Sequence, residues 1–276
     1  MTDERKKVTI NVDLDDIREI AHKGVRRAAV FMGLGLNAAF NKDFKDYRLS
    51  QITKVDLVPP DANDVQIENF KKEFSCWIIG NGLRELIENF NVFLDRLHDG
   101  CLLFKVTKVG GSSPQEVRAA VEKFHYVGLS AKLATLKDQF QVESKNLDYL
   151  LSINKARNCL THRRGIVGKP DVGEDGKLHL KWRGLEAFVK TPSGEEITLI
   201  PGGLTEPLKL KDGGDVMLRF PERTKTFSLG EQLILKPSDL TEFCQIVAQE
   251  TDVISKGGLA YARKLGIPNQ KEAPMS

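Results

Sequence analysis

The sequence predicts an α+β protein: an N-terminal helical bundle, then a small antiparallel β module, then a closing helix. Three observations predict it. Up to about residue 165 the apolar residues recur at intervals of three and four, the period of helices with one buried face. Gly165, Gly168, Pro170, Gly173 and Gly176 then break any helix and mark a turn-rich crossing. Beyond them, short runs rich in β-branched and aromatic residues alternate with turn signals until helical spacing resumes at Pro237.

Asp13, Asp15 and Asp16 supply the acidic first turn of a helix running through Ile17, Ile20, Val25, Ala29 and Phe31, because negative charge is favoured at the positive end of the helix dipole. Gly33 and Gly35 are expected to loosen its far end. Pro59 and Pro60 punctuate the chain, and Asp61 or Asn63 caps a long helix. Its buried side carries Ile67, Phe70, Phe74, Trp77, Ile78, Leu83, Leu86, Phe90 and Leu94, with Gly80 and Gly82 expected to kink it. Ser113 as N-cap and Pro114 at the first helical position start a helix through Val117, Val121 and Phe124. Two more helices are expected over 130–140 and 146–161.

The β-like runs are 178–182, 185–189, 197–200, 216–220, 224–229 and 232–235. Turn signals such as Thr191-Pro192-Ser193-Gly194 and Asp212-Gly213-Gly214 separate them, as in a small antiparallel sheet or meander. Pro237-Ser238-Asp239 caps a last helix carrying Leu240, Phe243, Ile246, Val247, Val253 and Ile254 and reaching Leu265. The expected division is a helical domain over 1–165, a β-rich module with its C-terminal helix over 166–268, and a disordered tail over 269–276.

Composition bounds the function. A hydrophobic fraction of 41% with 29% charged residues belongs to a globular chain and excludes wholesale disorder. Cys76, Cys101, Cys159 and Cys244 lie among apolar neighbours without a CxxC pair, which suits buried thiols in a reducing compartment and points to the cytoplasm. The charged opening at 1–7 leads into no apolar run of signal-peptide type, and no stretch of about 18 apolar residues predicts a membrane span. A net charge of +3 is too mild to announce a nucleic-acid binder. Local charge says more. Between Asp148 and Asp171 stand Lys155, Arg157, Arg163, Arg164 and Lys169 and not one acid, a stretch able to attract a polyanion.

Within that stretch runs Arg157-Asn158-Cys159-Leu160-Thr161-His162. On a helix Asn158 and His162 share a face, and Arg157 sits about 100° round from Asn158. A guanidinium, an amide and an imidazole are thus offered together near a helix end. By chance the pattern Arg-Asn-x-x-x-His is expected about 0.01 times in a chain of this composition and bare Arg-x-x-x-x-His about 0.3 times, so Asn158 carries most of the information.

This arrangement resembles the HEPN superfamily, helical bundles whose last helix carries an Arg, a following polar residue and, several positions on, a His. The resemblance covers roughly residues 10–165. It implies metal-independent cleavage of RNA, or RNA binding by a relative that does not cut, with no cofactor and no metal. Arg157 would hold the phosphate, His162 would act as acid and base, and Asn158 would orient. Lys155, Arg163 and Arg164 would steer the strand by charge. It further implies a homodimer that completes the site, and a toxin or antiviral-defence role under a restraining or activating partner protein.

Other readings stand beside this one. A non-enzymatic dimeric scaffold, or a nucleotide-sensing module that holds a phosphate without cutting, uses the same cations. Arg118 with His125 is a looser rival on an amphipathic helix. Gly33-x-Gly35 lacks the third glycine and preceding strand of a dinucleotide site, and His98-x-x-Cys101 lacks a second ligand pair for zinc. Trp182, Phe188, Phe220 and Phe227 read as sheet core.

Overall fold

The computed structural model of the protein describes residues 11–48, 61–199 and 213–268. Among them, in chain order, are α1 (Leu14–Phe40), α2 (Asp64–Val109), α3 (Pro114–Tyr126), α4 (Leu129–Phe140) and α5 (Leu147–Arg163). There follow β1 (Lys177–Arg183), β2 (Glu186–Lys190), β3 (Glu196–Leu199), β4 (Asp215–Arg219), β5 (Glu222–Ser228) and α6 (Pro237–Lys264). The architecture is α+β, with long N-terminal helices, small antiparallel sheets and a C-terminal helix. No described helix is long and apolar enough to cross a membrane.

The helix glycines do not interrupt their helices. A Cβ on Gly35 would lie 2.6 Å from Ile78 Cδ1, and one on Gly82 would lie 2.2 Å from Met32 Cγ. Their missing side chains let α1 and α2 approach at backbone distance, so the expected loosening and kinking give way to close packing. Helix α1 continues past Gly33 and Gly35 to Phe40, and α2 runs unbroken for 46 residues. At the start of α3, Ser113 Oγ accepts from the Glu116 N–H while the Glu116 side chain takes the Ser113 N–H, a complete capping box with Pro114 beside it.

The strands form two sheets rather than one meander. β1 reaches past three intervening strands to pair antiparallel with β5, from Lys177 opposite Ser228 to Arg183 opposite Glu222. β2 lies between β3 and β4 and is antiparallel to both. The run at 232–235 builds no ladder; Gln232 makes only an isolated bridge with Ile166, because its backbone partners lie in the crossing after α5. Pro59, Pro60, Ile200, Asp212 and the tail at 269–276 lie outside the described residues.

Two compact units are resolved. One gathers the described residues up to Lys23, Glu88–Lys145 and those from Ala248 onward; the other gathers Gly24–Ile87 and Asn146–Val247. The expected boundary at residue 165 therefore runs through the interior of the second unit. There the inward side chains of β1, Leu178, Leu180 and Trp182, are buried, and β1 packs on α5 with its buried Leu150, Ile153 and Ala156. Trp182 meets Phe243 edge-on at 5.2 Å and donates its indole N–H to Glu242 Oε2 at 2.6 Å. Glu242 also accepts from the Leu185 N–H and from Arg223 Nε, so this buried carboxylate is fully engaged.

The core of the first unit holds Phe90, Phe93, Leu97, Phe140 and Ile254. Lys132 is buried there and donates to Asp95 at 2.6 Å. The His98 ring stacks on Phe124 with centroids 3.9 Å apart.

Candidate nucleic-acid interface

Helix α5 carries the Arg-Asn-x-x-x-His run and ends for local reasons. Asp148 lies in its first turn and His162 and Arg163 in its last, the charge order that the helix dipole favours. Arg164 closes it in the left-handed conformation, φ 53°, and Gly165 follows at φ +80° with its N–H on the Cys159 carbonyl at 3.1 Å. A side chain at Gly165 would meet Gln232 Nε2 at 2.4 Å and Cys76 Sγ at 3.3 Å, so glycine is required on both counts. The chain is then stitched down: Val167 N–H to Glu231 O, Gly230 N–H to Val167 O and Leu233 N–H to Gly165 O, each at 2.8 or 2.9 Å.

Ile153, Ala156, Cys159 and Leu160 turn inward, and beside them runs a half-buried polar stripe: Asn154, Arg157, Asn158 and Thr161, spaced three, four and seven apart. Arg157 Nη1 donates to Asn158 Oδ1 at 2.9 Å, so two of the three expected catalytic residues are in contact. The buried Asn154 Oδ1 and Thr161 Oγ1 have no hydrogen-bond partner among the described residues. Buried polar atoms are normally satisfied, so a stripe with unmet capacity suits a surface that completes itself against something else.

His162 is exposed and makes no hydrogen bond or ion pair among the described residues. With successive residues about 100° apart round the axis, Asn158 and His162 leave α5 about 40° apart, but Arg157 and His162 about 140° apart. From one copy the guanidinium and the imidazole set out in different directions. A phosphate touched by both needs a second copy, or a long reach by Arg157.

The three steering cations fare differently. Lys155 is exposed and lines a depression of 410 Å³ with Ser152, His179, Lys181, Thr224 and Thr226. Arg163 is spent within the fold: its Nε donates to Asp171 Oδ2 at 2.6 Å and its Nη2 to Oδ1, and Asp171 also accepts the Gly168 N–H at 2.9 Å. The role expected of Arg163 in steering a strand thus yields to a bidentate structural pair, made by the first acid beyond the acid-free stretch. Arg164 is exposed, and its guanidinium has no partner among the described residues.

Arg164 opens instead onto a groove of 890 Å³ that sequence reasoning missed. One wall is a single stripe of α2, Phe70, Phe74, Trp77, Asn81 and Arg84, at increments of four, three, four and three. Its floor is Gly80 with Leu160 and Thr161, where a Cβ on Gly80 would sit 3.4 Å from Leu160. Trp77 was expected on the buried side of its helix, yet it is 62% exposed. Its ring lies nearly parallel to that of Phe74, 6.3 Å away and inclined by 18°. The signal in the sequence was the change of that stripe from aromatic to amide and guanidinium at Asn81 and Arg84.

The rival positions carry structure. His125 pairs with Asp99 at 3.3 Å, and His98 and Cys101 are buried core. Trp182, Phe188 and Phe227 are buried, whereas Phe220 is exposed. Burial pushes the thiols of Cys101 and Cys244 up to about 12, and that of Cys159, where Asp171 adds to the effect of burial, up to about 11, which makes them poor nucleophiles. Among the described residues no group of three or more His, Cys, Asp or Glu is placed to hold a metal ion. Comparison with models of known protein families, with curated proteins and with solved structures found no match to the chain.

Proposed function

We propose that the protein is a metal-independent endoribonuclease of the HEPN type that works as a homodimer. The observation that carries this reading is the stripe on α5, where Arg157 is held by Asn158 at 2.9 Å and an exposed His162 follows one turn beyond Asn158. In the dimer, Arg157 of one copy and His162 of the other face one phosphodiester, which answers their divergence on a single helix.

The chemistry needs only these groups and the RNA. The ribose 2′-oxygen attacks its own phosphorus while an imidazole takes the 2′-hydroxyl proton. The O2′–P bond forms and the P–O5′ bond breaks, with an imidazolium returning a proton to the 5′-oxygen. The products are a 2′,3′-cyclic phosphate and a 5′-hydroxyl, and no water is consumed. An imidazole is suited to both transfers because its ordinary pKa of about 6.5 lies near neutrality. A guanidinium stays charged and donates two parallel hydrogen bonds to the phosphate oxygens, where negative charge grows in the transition state. Lys155 and Arg164 add sequence-independent attraction for the strand. A role as toxin or antiviral-defence effector, restrained or activated by a partner protein in the cytoplasm, rests on family likeness alone.

The divergence of Arg157 and His162 on one copy favours a second reading: a relative that binds RNA without cutting. One experiment separates the two. Purified protein is incubated with assorted RNAs in EDTA, beside His162→Ala and Arg157→Ala variants. The nuclease reading expects cyclic-phosphate ends and a loss of rate of about 10² to 10⁴ in His162→Ala. RNA bound but never cut would leave the binding reading, and cutting undiminished in both variants would refute the site.

A further inference from the structure

The groove between α2 and the end of α5 is assigned no role by the catalytic reading. Its lining is unusual for a crevice between helices. One side offers the parallel rings of Phe74 and Trp77, the latter largely exposed. The other side offers Arg164, a guanidinium with no partner among the described residues, and the floor contains Thr161, whose Oγ1 has unmet hydrogen-bonding capacity. Glu73 stands near Phe70 in the same lining, and Asn81 and Gln232 complete the polar edge.

Each feature answers a part of a nucleotide. Flat aromatic faces stack bases of any identity, a free guanidinium takes the phosphate, and amide and carboxylate side chains pair with base edges. A purely apolar crevice would suit a partner helix; here the Arg164 guanidinium would be left without a partner beneath one. From Phe70 to Arg84 the stripe spans about 21 Å of helix, longer than one nucleotide needs.

We propose that this groove is a subsite for unpaired RNA, in which bases stack on Trp77 and Phe74 while Arg164 holds a phosphate of the same strand. The proposal rests on the RNA reading of α5 and extends it, because Thr161 and Arg164 belong to the turn that carries His162. The strand runs from the α5 turn along α2. The groove selects single strands, since stacking on Trp77 requires a base free of its complement.

The test uses the full chain and a 2′-O-methylated hexanucleotide, which has no attacking hydroxyl and so reports binding alone. Of the two tryptophans, Trp182 is buried and Trp77 exposed, so quenching of emission by the oligonucleotide reports on Trp77. Quenching in the wild type is expected, and affinities read for every variant from the anisotropy of the same oligonucleotide carrying a 5′-fluorescein should be about tenfold weaker in Trp77→Ala and weaker, with a shallower salt dependence, in Arg164→Ala. Trp77→Leu keeps an apolar side chain on the surface and guards against an effect of folding; it should bind as poorly as the alanine variant.

Wild-type affinity in Trp77→Ala overturns the groove. If RNA is then still cut in a manner dependent on His162, the nuclease reading survives alone. If Trp77-dependent binding is found and no RNA is ever cut, the groove survives and the nuclease reading falls. Equal quenching by a free mononucleotide at the same concentration would assign the groove to small nucleotides and overturn the strand proposal. So would equal affinity for a fully paired duplex.

Discussion

Asp171 shows how a single residue can redirect the reading of its neighbours. Its side chain is 2% exposed and receives two bonds from Arg163 and one from the Gly168 N–H, so it anchors the crossing after α5. Asp171→Ala leaves a part-buried guanidinium without its counter-charge and should cost about 2–3 kcal/mol, seen as a lower midpoint in urea unfolding. Arg163→Ala should cost less in stability, since it uncovers a carboxylate that retains the Gly168 N–H. The spacing of Arg157, Asn158 and His162 was legible in the chain because a rare triplet pattern stands out from background. The commitment of Arg163 was not, because its partner lies eight residues on, across a turn whose geometry no periodicity describes. Trp77 misled for the opposite reason: it obeys the apolar period of α2, and period alone does not say whether a stripe is covered.

At the level of elements, the helices and strands were legible from periodicity and turn residues, whereas the roles of the helix glycines required the packing. Gly33 has nothing within 4 Å of where a Cβ would stand, and Gly35 has three atoms of Ile78 within 2.9 Å. Gly33→Ala should therefore stabilise α1 by up to about 1 kcal/mol, the ordinary gain in helix propensity. Gly35→Ala should destabilise by about 1–3 kcal/mol, because a β-branched side chain cannot swing aside freely. Thermal melts of the two variants should move in opposite directions; a shift in the same direction would refute the close contact. The α3 cap carries a pH signature. The Ser113 N–H, then its hydroxyl, hold the Glu116 carboxyl below its ordinary value, so the cap is intact above the usual carboxylate range and is lost as the pH falls through the lowered value. Helicity should decline on acidification less steeply in Glu116→Gln, as followed by circular dichroism. Pairing of β1 with β5 was beyond the sequence, since nothing local distinguishes a ladder to the next strand from one four strands on.

For the whole molecule, the buried thiols set an alkaline limit. Cys101 and Cys244 are raised to about 12 and Cys159 to about 11, while unfolding releases each toward its ordinary value of 9.0. A group raised in the folded state contributes stability that is present below its unfolded pKa and is lost as the pH rises through the folded one. The melting temperature should thus fall progressively above pH 9, and less so in a variant carrying Cys101→Ala and Cys244→Ala. The proposed chemistry also fixes a stoichiometry. Sedimentation should give about twice the 30.9 kDa of one chain under conditions where RNA is cut. A cutting monomer would contradict the shared site.

The hydrogen bonds that stitch 165–167 to 230–233 have an evolutionary corollary. Most of the residues proposed to meet RNA come from one half of the gene, and the backbone that holds their helix end comes from the other. Recombination at this joint would not transplant a working cassette, and a fragment ending at residue 165 would expose the β1-facing side of α5. Inheritance of the proposed activity would require the two halves to travel together.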